Sequence, residues 1–149
     1  MSTGTTPDEA TRIGVLRQVP LFAGLTDRGI AAVSRATNEL SFAPGETLVR
    51  EGEPGDSFLI LETGQAEVTR AGETIRTLSR GDFLGEIALL DGGTRTATVT
   101  ATSPVTALCV ERQDFMRLID ESSAVRFGII EALTSRLRHD ASGMATTTA

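Results

Sequence analysis

A carboxylate and a guanidinium nine residues apart, Glu86 and Arg95, are the side chains of this sequence best suited to bind a small anion. Glu86 follows Gly85 and begins an apolar run that suits the first turn of a helix, where unpaired backbone N–H groups favour negative charge. The alternation over Arg95–Ala101 places Arg95 on the same strand face as small apolar residues. A guanidinium that faces a core needs an anion, because arginine does not escape burial by losing its proton. The partner of Arg95 is therefore either Glu86 or a ligand, such as a phosphate.

The composition indicates one soluble domain with an acidic surface. The chain has 149 residues, of which 40% are hydrophobic and 23% charged, and its net charge is −6. All 14 basic residues are arginines and they form no run, so we expect no direct DNA binding. The single cysteine, Cys109, lies in an apolar run, which favours a buried thiol in a reducing compartment. With no stretch near the roughly 20 apolar residues that span a bilayer, we expect a cytoplasmic protein without a membrane span.

Regularly spaced glycines divide the middle of the chain into short strands. Glycines recur every 8 to 11 residues at positions 45, 55, 64, 72, 81 and 92. This spacing is typical of an antiparallel sandwich or barrel, and it predicts a jelly roll of about eight strands around a small cavity. Six strands are predicted by position: Thr47–Arg50, Ser57–Leu61, Ala66–Arg70, Glu73–Leu78, Arg95–Ala101 and Val105–Val110.

Helical periodicity flanks the predicted strands on both sides. Before them, a helix over Asp8–Val19 ends at Pro20, and Thr26 is placed to cap a second short helix. After them, we predict a short helix around Phe115 and a longer one over Val125–Leu137. The predicted fold is thus mainly β, an antiparallel β-roll with an N-terminal helical bundle and two C-terminal helices. The predicted domain spans residues 10–140, with flexible tails at 1–9 and 141–149.

The segment Phe83–Val99 resembles the phosphate-binding cassette of the cyclic nucleotide-binding domains in protein kinase regulatory subunits, bacterial catabolite activators and cyclic nucleotide-gated channels. In that family a short helix that begins Gly-Glu is followed by a loop, an arginine and small residues, which hold the cyclic phosphate and the ribose. The family usually has proline before the arginine; Thr94 stands there in this chain, which predicts a looser loop. The resemblance extends over roughly Leu21 to Arg138. The positions that match the cassette are Gly85, Glu86, Ile87, Ala88, Arg95, Thr96 and Ala97.

The resemblance also implies roles for individual side chains. Glu86 would accept a hydrogen bond from the ribose 2′-hydroxyl, and Arg95 would hold the phosphate as a planar fork. The Thr96 hydroxyl would reach the phosphate and, in some members of the family, the guanine edge. The last helix would close over the base as a lid, and Arg136 matches an arginine that some channel-type relatives use there. The expected function is a sensor module that binds cyclic nucleotide, cAMP rather than cGMP, and passes occupancy on through its C-terminal helices.

Three other functions remain open at this level. One is a degenerate β-roll that keeps the fold as an interaction domain without binding nucleotide. Another is a cupin-like enzyme, although metal sites in such barrels need two or three histidines and His139 is the single one here. A DNA-binding regulator would need a helix-turn-helix after the long helix, where only a short segment follows. We therefore expect no catalytic activity, metal or cofactor, and as partners an effector protein, an attached domain, or a second copy in a homodimer.

Overall fold

The computed structural model describes residues 9–85 and 93–141, and the side chains within these ranges other than those of residues 133 and 135–141. The described residues form two antiparallel four-stranded sheets, with strand orders β1-β8-β3-β6 and β2-β7-β4-β5. Apolar side chains from both sheets meet in one cluster, so the sheets face each other as a jelly roll. The predicted mainly β fold with flanking helices is confirmed. The strands are β1 (Asn38–Phe42), β2 (Thr47–Val49), β3 (Ser57–Thr63), β4 (Ala66–Arg70), β5 (Glu73–Leu78), β6 (Phe83–Leu84), β7 (Thr98–Ala101) and β8 (Val105–Glu111).

Within the described residues, four α-helices flank the roll, two before it and two after it along the chain. Pro20 opens a short 3-10 turn after the first helix, because proline has no N–H to continue the helical ladder. The Thr26 hydroxyl accepts a hydrogen bond from the Gly29 N–H at 3.2 Å, so the predicted cap of the second helix is confirmed. The helices are α1 (Glu9–Arg17), α2 (Asp27–Arg35), α3 (Arg112–Glu121) and α4 (Ser123–Ala141). The predicted tails lie outside the described residues except for one residue of each. Glu9 is the first residue of α1, and Ala141 is the last residue of α4.

Strand β3 is buried on both faces of its sheet. Phe58 and Ile60 point toward the helices, and the ring of Phe58 meets that of Phe22 edge to face with centroids 5.6 Å apart. Leu59 and Leu61 point the other way, into the cluster between the two sheets. Successive side chains of β3 point to opposite faces, and both faces are covered. The strand therefore needs apolar residues at every position, which explains its uninterrupted apolar run.

The predicted strand Arg95–Ala101 is right in its alternation and wrong in its length. Arg95 and Ala97 are buried and Thr96 is exposed, as the alternation requires. The paired strand begins only at Thr98, because its neighbour β4 ends at this level. Thr98 lies opposite Thr69, and Arg70 is the last residue of β4. Two strands that were not predicted by position, β1 and β6, complete the sheets. The first is largely polar and the second has only two residues, so neither shows a periodic apolar pattern.

The two predicted C-terminal helices are confirmed, and side chains hold the break between them. Ser122 has an extended backbone, and its hydroxyl accepts a hydrogen bond from the Val125 N–H at 3.2 Å. Arg126 reaches back from α4 and donates from Nη1 to the carbonyl of Ile119 at 2.6 Å. The angle between α3 and α4 is therefore held by a cap on one helix and a guanidinium on the end of the other.

Glu62 is a carboxyl group in the apolar layer at the end of β3. It is 4% exposed, and no donor among the described residues reaches either of its oxygens. Burial raises its pKa to about 7, and the neighbouring carboxyl group of Glu39 acts in the same direction, against the charges of Arg12 and Arg80. The ionised form is thus disfavoured, since no ion pair offsets the loss of its hydration.

We predict that Glu62→Gln removes a pH-dependent loss of stability. The pKa of Glu62 is higher in the folded than in the unfolded state. The contribution of the protonated carboxyl group to the free energy of unfolding is therefore fully present below about pH 4.5 and is lost as the pH rises through about 7. Urea unfolding at pH 5.5 and 8.5 should show the variant gaining roughly 1 to 3 kcal/mol on the natural protein at the higher pH. Glu73→Gln, on the exposed strand β5, is the matched control and should show no such gain. An equal difference at both pH values for Glu62→Gln would contradict the prediction.

Candidate functional site

Arg95 is the buried arginine at the centre of the predicted site. It is 5% exposed and lies just before β7, where the ladder with β4 has not yet begun. Its N–H donates to the carbonyl of Glu53 at 2.8 Å, and its carbonyl accepts from the Gly52 N–H at 2.8 Å. The neighbouring residue, Thr94, forms an isolated bridge with Pro54. The turn between β2 and β3 therefore supplies the backbone hydrogen bonds that a neighbouring strand would otherwise give to Arg95.

The guanidinium of Arg95 is anchored at one nitrogen. Nη2 donates to the carbonyl oxygen of Ser57 at 2.5 Å and to the Ser57 hydroxyl at 3.2 Å. Nη1 is buried as well and has no hydrogen-bond partner among the described residues. Within that part of the chain, no carboxylate lies within ion-pair distance of Arg95. One edge of a buried cation is therefore fixed by neutral oxygens, while the other keeps its capacity to donate to an anion.

Gly85 forms the wall against which this guanidinium lies. Its φ is +84°, a conformation that glycine adopts freely and other residues rarely do. A Cβ at this position would collide with Nη1 of Arg95 and come within 2.7 Å of the Ser57 carbonyl oxygen. Both the backbone conformation and the close approach therefore require glycine here.

Burial dominates the electrostatics around Arg95. It lowers the pKa of Arg95, while Cys109 in its thiolate form and the charges of Asp56 and Glu111 act in the opposite direction. Cys109 is itself 3% exposed. Burial, and then the charge of Glu111 and a hydrogen bond to it, raise the pKa of Cys109 to about 12, so this thiol is neutral at physiological pH.

Residues 39–122 match the model of the family described as the cyclic nucleotide-binding domain. This match covers more than half of the chain. The chain belongs to the cyclic nucleotide-binding domain family.

Individual relatives agree with this assignment. The chain is 36% identical over 124 residues to a cAMP-dependent protein kinase regulatory subunit of Hypocrea atroviridis, covering 83% of this chain and 25% of that protein. It is 36% identical over 121 residues to the cGMP-dependent protein kinase egl-4 of Caenorhabditis briggsae, covering 76% and 16%. Among solved structures, the N-terminal domain of a transcriptional regulator from Streptomyces coelicolor A3(2) has a TM-score of 0.81 and 30% identity, covering 89% of this chain and 99% of that one. The chain thus spans a quarter or less of the two kinase proteins.

The structure brings together two of the predicted cassette residues, Gly85 and Arg95. Ala97 is buried in the cluster between the two sheets. Thr96 is exposed, and its carbonyl accepts a hydrogen bond from Arg70 Nε at 3.0 Å. The predicted Glu86, Ile87 and Ala88 lie outside the described residues, and Arg136 lies in α4 with its side chain outside the description. The pairing of Glu86 with Arg95 and the contact of Arg136 with a base therefore stay predictions.

Two residues that lie beside Arg95 in the structure were not predicted as site residues from the sequence. Ser57 appears there only as the start of a strand, and Cys109 only as a buried thiol. The β3–β8 register sets Ser57 opposite Glu111 and Leu59 opposite Cys109, which puts both on the inner face of one sheet. Only the pairing of β3 with β8 identifies Ser57 and Cys109 as neighbours of Arg95, and a single sequence does not reveal that pairing.

The described ranges contain neither a cluster of metal ligands nor a helix that could span a membrane. No three His, Cys, Asp or Glu side chains of residues 9–85 and 93–141 are grouped as a metal ion would require. None of the helices in that part of the chain has the length and apolar composition needed to cross a bilayer.

We predict that Gly85→Ala destabilises the domain more than its conformation alone explains. Gly72→Ala is a matched control, because Gly72 has a φ of +83° and a Cβ there would meet nothing within 4 Å. The control should cost about 1 kcal/mol for the left-handed backbone, and Gly85→Ala at least about 1 kcal/mol more for the collision with Arg95. Urea unfolding of both variants measures the difference. Equal losses would show that Arg95 does not rest against Gly85.

Proposed function

We propose that this domain binds a cyclic nucleotide, cAMP more tightly than cGMP, and acts as a regulatory module that performs no chemistry on its ligand. The observation that carries the proposal is the Arg95 guanidinium, buried and held by neutral oxygens on one side, with Nη1 unpartnered within the described residues. A cyclic phosphate is an anion whose oxygens fit a planar guanidinium. It would offset the cost of burying that charge, which gives the site a reason to prefer the bound state.

The remaining cassette residues are assigned in the same proposal. In it, Glu86 would accept a hydrogen bond from the ribose 2′-hydroxyl, and Ile87 and Ala88 would contact the phosphate. Ala97 keeps the space beside the phosphate open, since it is small and buried. Gly85 allows the guanidinium to approach the cassette backbone closely.

The base is expected to contribute little discrimination. The chain has no Trp or Tyr, so contacts to the base are mainly apolar, with Thr96 and Arg136 as polar additions. One hydrogen bond from Thr96 to guanine is worth about 1 kcal/mol, so cAMP should bind more tightly than cGMP by roughly tenfold or less.

The output of the module is proposed to be a movement of the C-terminal helices. Helix α3 follows β8 directly, and α4 packs with Val125 and Ile129 on the helical core. A closed arrangement of α4 can be populated by the ligand only if it contributes affinity. The receiver would be an effector protein, an attached domain or a second copy of the chain, in the cytoplasm.

We predict that Arg95→Ala weakens cAMP binding by on the order of 2 to 5 kcal/mol, roughly 30-fold or more, because the phosphate loses its charged donor. Calorimetric titration with cAMP and cGMP measures both affinities. Arg76→Ala, on the exposed strand β5, removes an equal charge away from the site and should leave both unchanged. Unchanged cAMP affinity in Arg95→Ala would refute the site, and a preference for cGMP in the natural protein would refute the choice of ligand.

We also predict that cAMP slows amide hydrogen exchange in residues 125–138. Closure over the base would protect this part of α4, whereas α1, which packs on the other side of the helical core, serves as the internal reference. Mass spectrometry of the intact protein with and without cAMP measures the exchange. Exchange in α4 that ignores bound cAMP would mean that the helix is a static support and not a lid.

A further inference from the structure

The polar groups next to the anchor of Arg95 continue beyond Ser57 to Cys109 and Glu111. Nη2 donates to the Ser57 hydroxyl, and Cys109 lies diagonally across the β3–β8 ladder from Ser57, on the same face of the sheet. The Cys109 thiol in turn donates to Glu111 Oε1 at 3.6 Å. Each member can accept from the previous group and donate to the next, since a hydroxyl and a thiol each carry one hydrogen.

The β3–β8 ladder places these groups in reach of one another. Ser57 and Cys109 lie on the inner face of neighbouring strands, and Glu111 ends β8 opposite Ser57. Cys109 is buried and Glu111 is exposed, so this row of polar groups runs from the buried guanidinium to solvent. The carboxylate at its end affects Arg95 by its charge without forming an ion pair with it.

This arrangement solves a conflict in any site that binds an anion through a buried arginine. A carboxylate paired directly with the guanidinium would orient it but would compete with the ligand for the same donors. Neutral acceptors orient the guanidinium while its charge stays available. Hydrogen bonds between polarised groups in a protected environment also strengthen one another.

We propose that Ser57 and Cys109 are positioning residues for Arg95: they fix Nη2 through the row of polar groups that ends at Glu111, and so leave Nη1 directed at the anion. The inference rests on the proposed function, because it assumes that Arg95 binds the phosphate of the ligand. Gly85 limits the guanidinium from one side and Ser57 from the other, so loss of the Ser57 hydroxyl leaves only the backbone carbonyl as an acceptor.

The affinity test uses paired variants of the full chain titrated with cAMP. Ser57→Ala should weaken binding about fivefold and Cys109→Ala about threefold, the loss expected for one hydrogen bond. Ser57→Thr and Cys109→Ser keep a hydroxyl at each position and should stay within about twofold of the natural protein. Ser34→Ala is the control for a buried serine, since Ser34 is 1% exposed in α2 and is not a member of this row of polar groups. It should lower the melting temperature without changing cAMP affinity.

A second measurement reads the position of the guanidinium without ligand. In protein labelled with nitrogen-15 at arginine, slow exchange and restricted rotation of the Arg95 Nη hydrogens are expected in the natural protein and in Ser57→Thr, and are expected to be lost in Ser57→Ala. If Arg95→Ala binds cAMP normally while the nuclear magnetic resonance result holds, the proposed function fails and the anchoring role stands. If Arg95→Ala loses binding while Ser57→Ala and Cys109→Ala bind cAMP like the natural protein, the positioning role is wrong. Should Ser57→Ala fail to fold, the comparison of Cys109→Ala with Cys109→Ser decides the question.

Discussion

The burial of one guanidinium is the constraint on which the rest of this site depends. Arginine keeps its proton in a protein interior, so the surrounding structure must supply acceptors or leave a charge that destabilises the fold. Here the acceptors that the described residues offer are neutral, and they serve Nη2. The backbone of Gly85 closes the space beside Nη1 without adding a side chain. In the proposed function, an anion supplies the acceptor that these residues do not give to Nη1.

Strand β3 links this site to the helices. Ser57 begins the strand on its inner face, and Phe58 lies on the outer face in the aromatic cluster with Phe22. The other strand of the site, β8, leads directly into α3, whose first N–H, that of Arg112, donates to the carbonyl of Asp56 at 2.7 Å. A displacement of the anchor therefore acts on the beginning of α3 through one backbone hydrogen bond and one strand end. Packed layers transmit such shifts because they are dense and resist compression.

Several features were predictable from the order of residues. The turns at Gly45, Gly72 and Gly81, the cap at Thr26 and the inward direction of Arg95 follow from interactions over a few residues, and the structure has each of them. The short strand β6 and the polar strand β1 were not predicted by position, because they are stabilised by neighbours and not by their own pattern. Glu62 is a further case. A carboxylate near the end of a strand is ordinarily solvent-exposed, and only the packing of the layers shows that this one is buried.

The amino-acid sequence by itself determined which chemistry this protein has available: an arginine on an apolar face, a glycine that permits close approach, and a roll with flanking helices. Those properties depend on residue type and local periodicity, which act over a few positions of the chain. Only the tertiary structure decided which groups surround the arginine. Ser57 and Cys109 lie far apart in the sequence and meet through the β3–β8 register, and a slip of one residue would turn them to the opposite face of the sheet. That register is set by the packing of two apolar layers at once, a condition that exists only when the whole domain is folded.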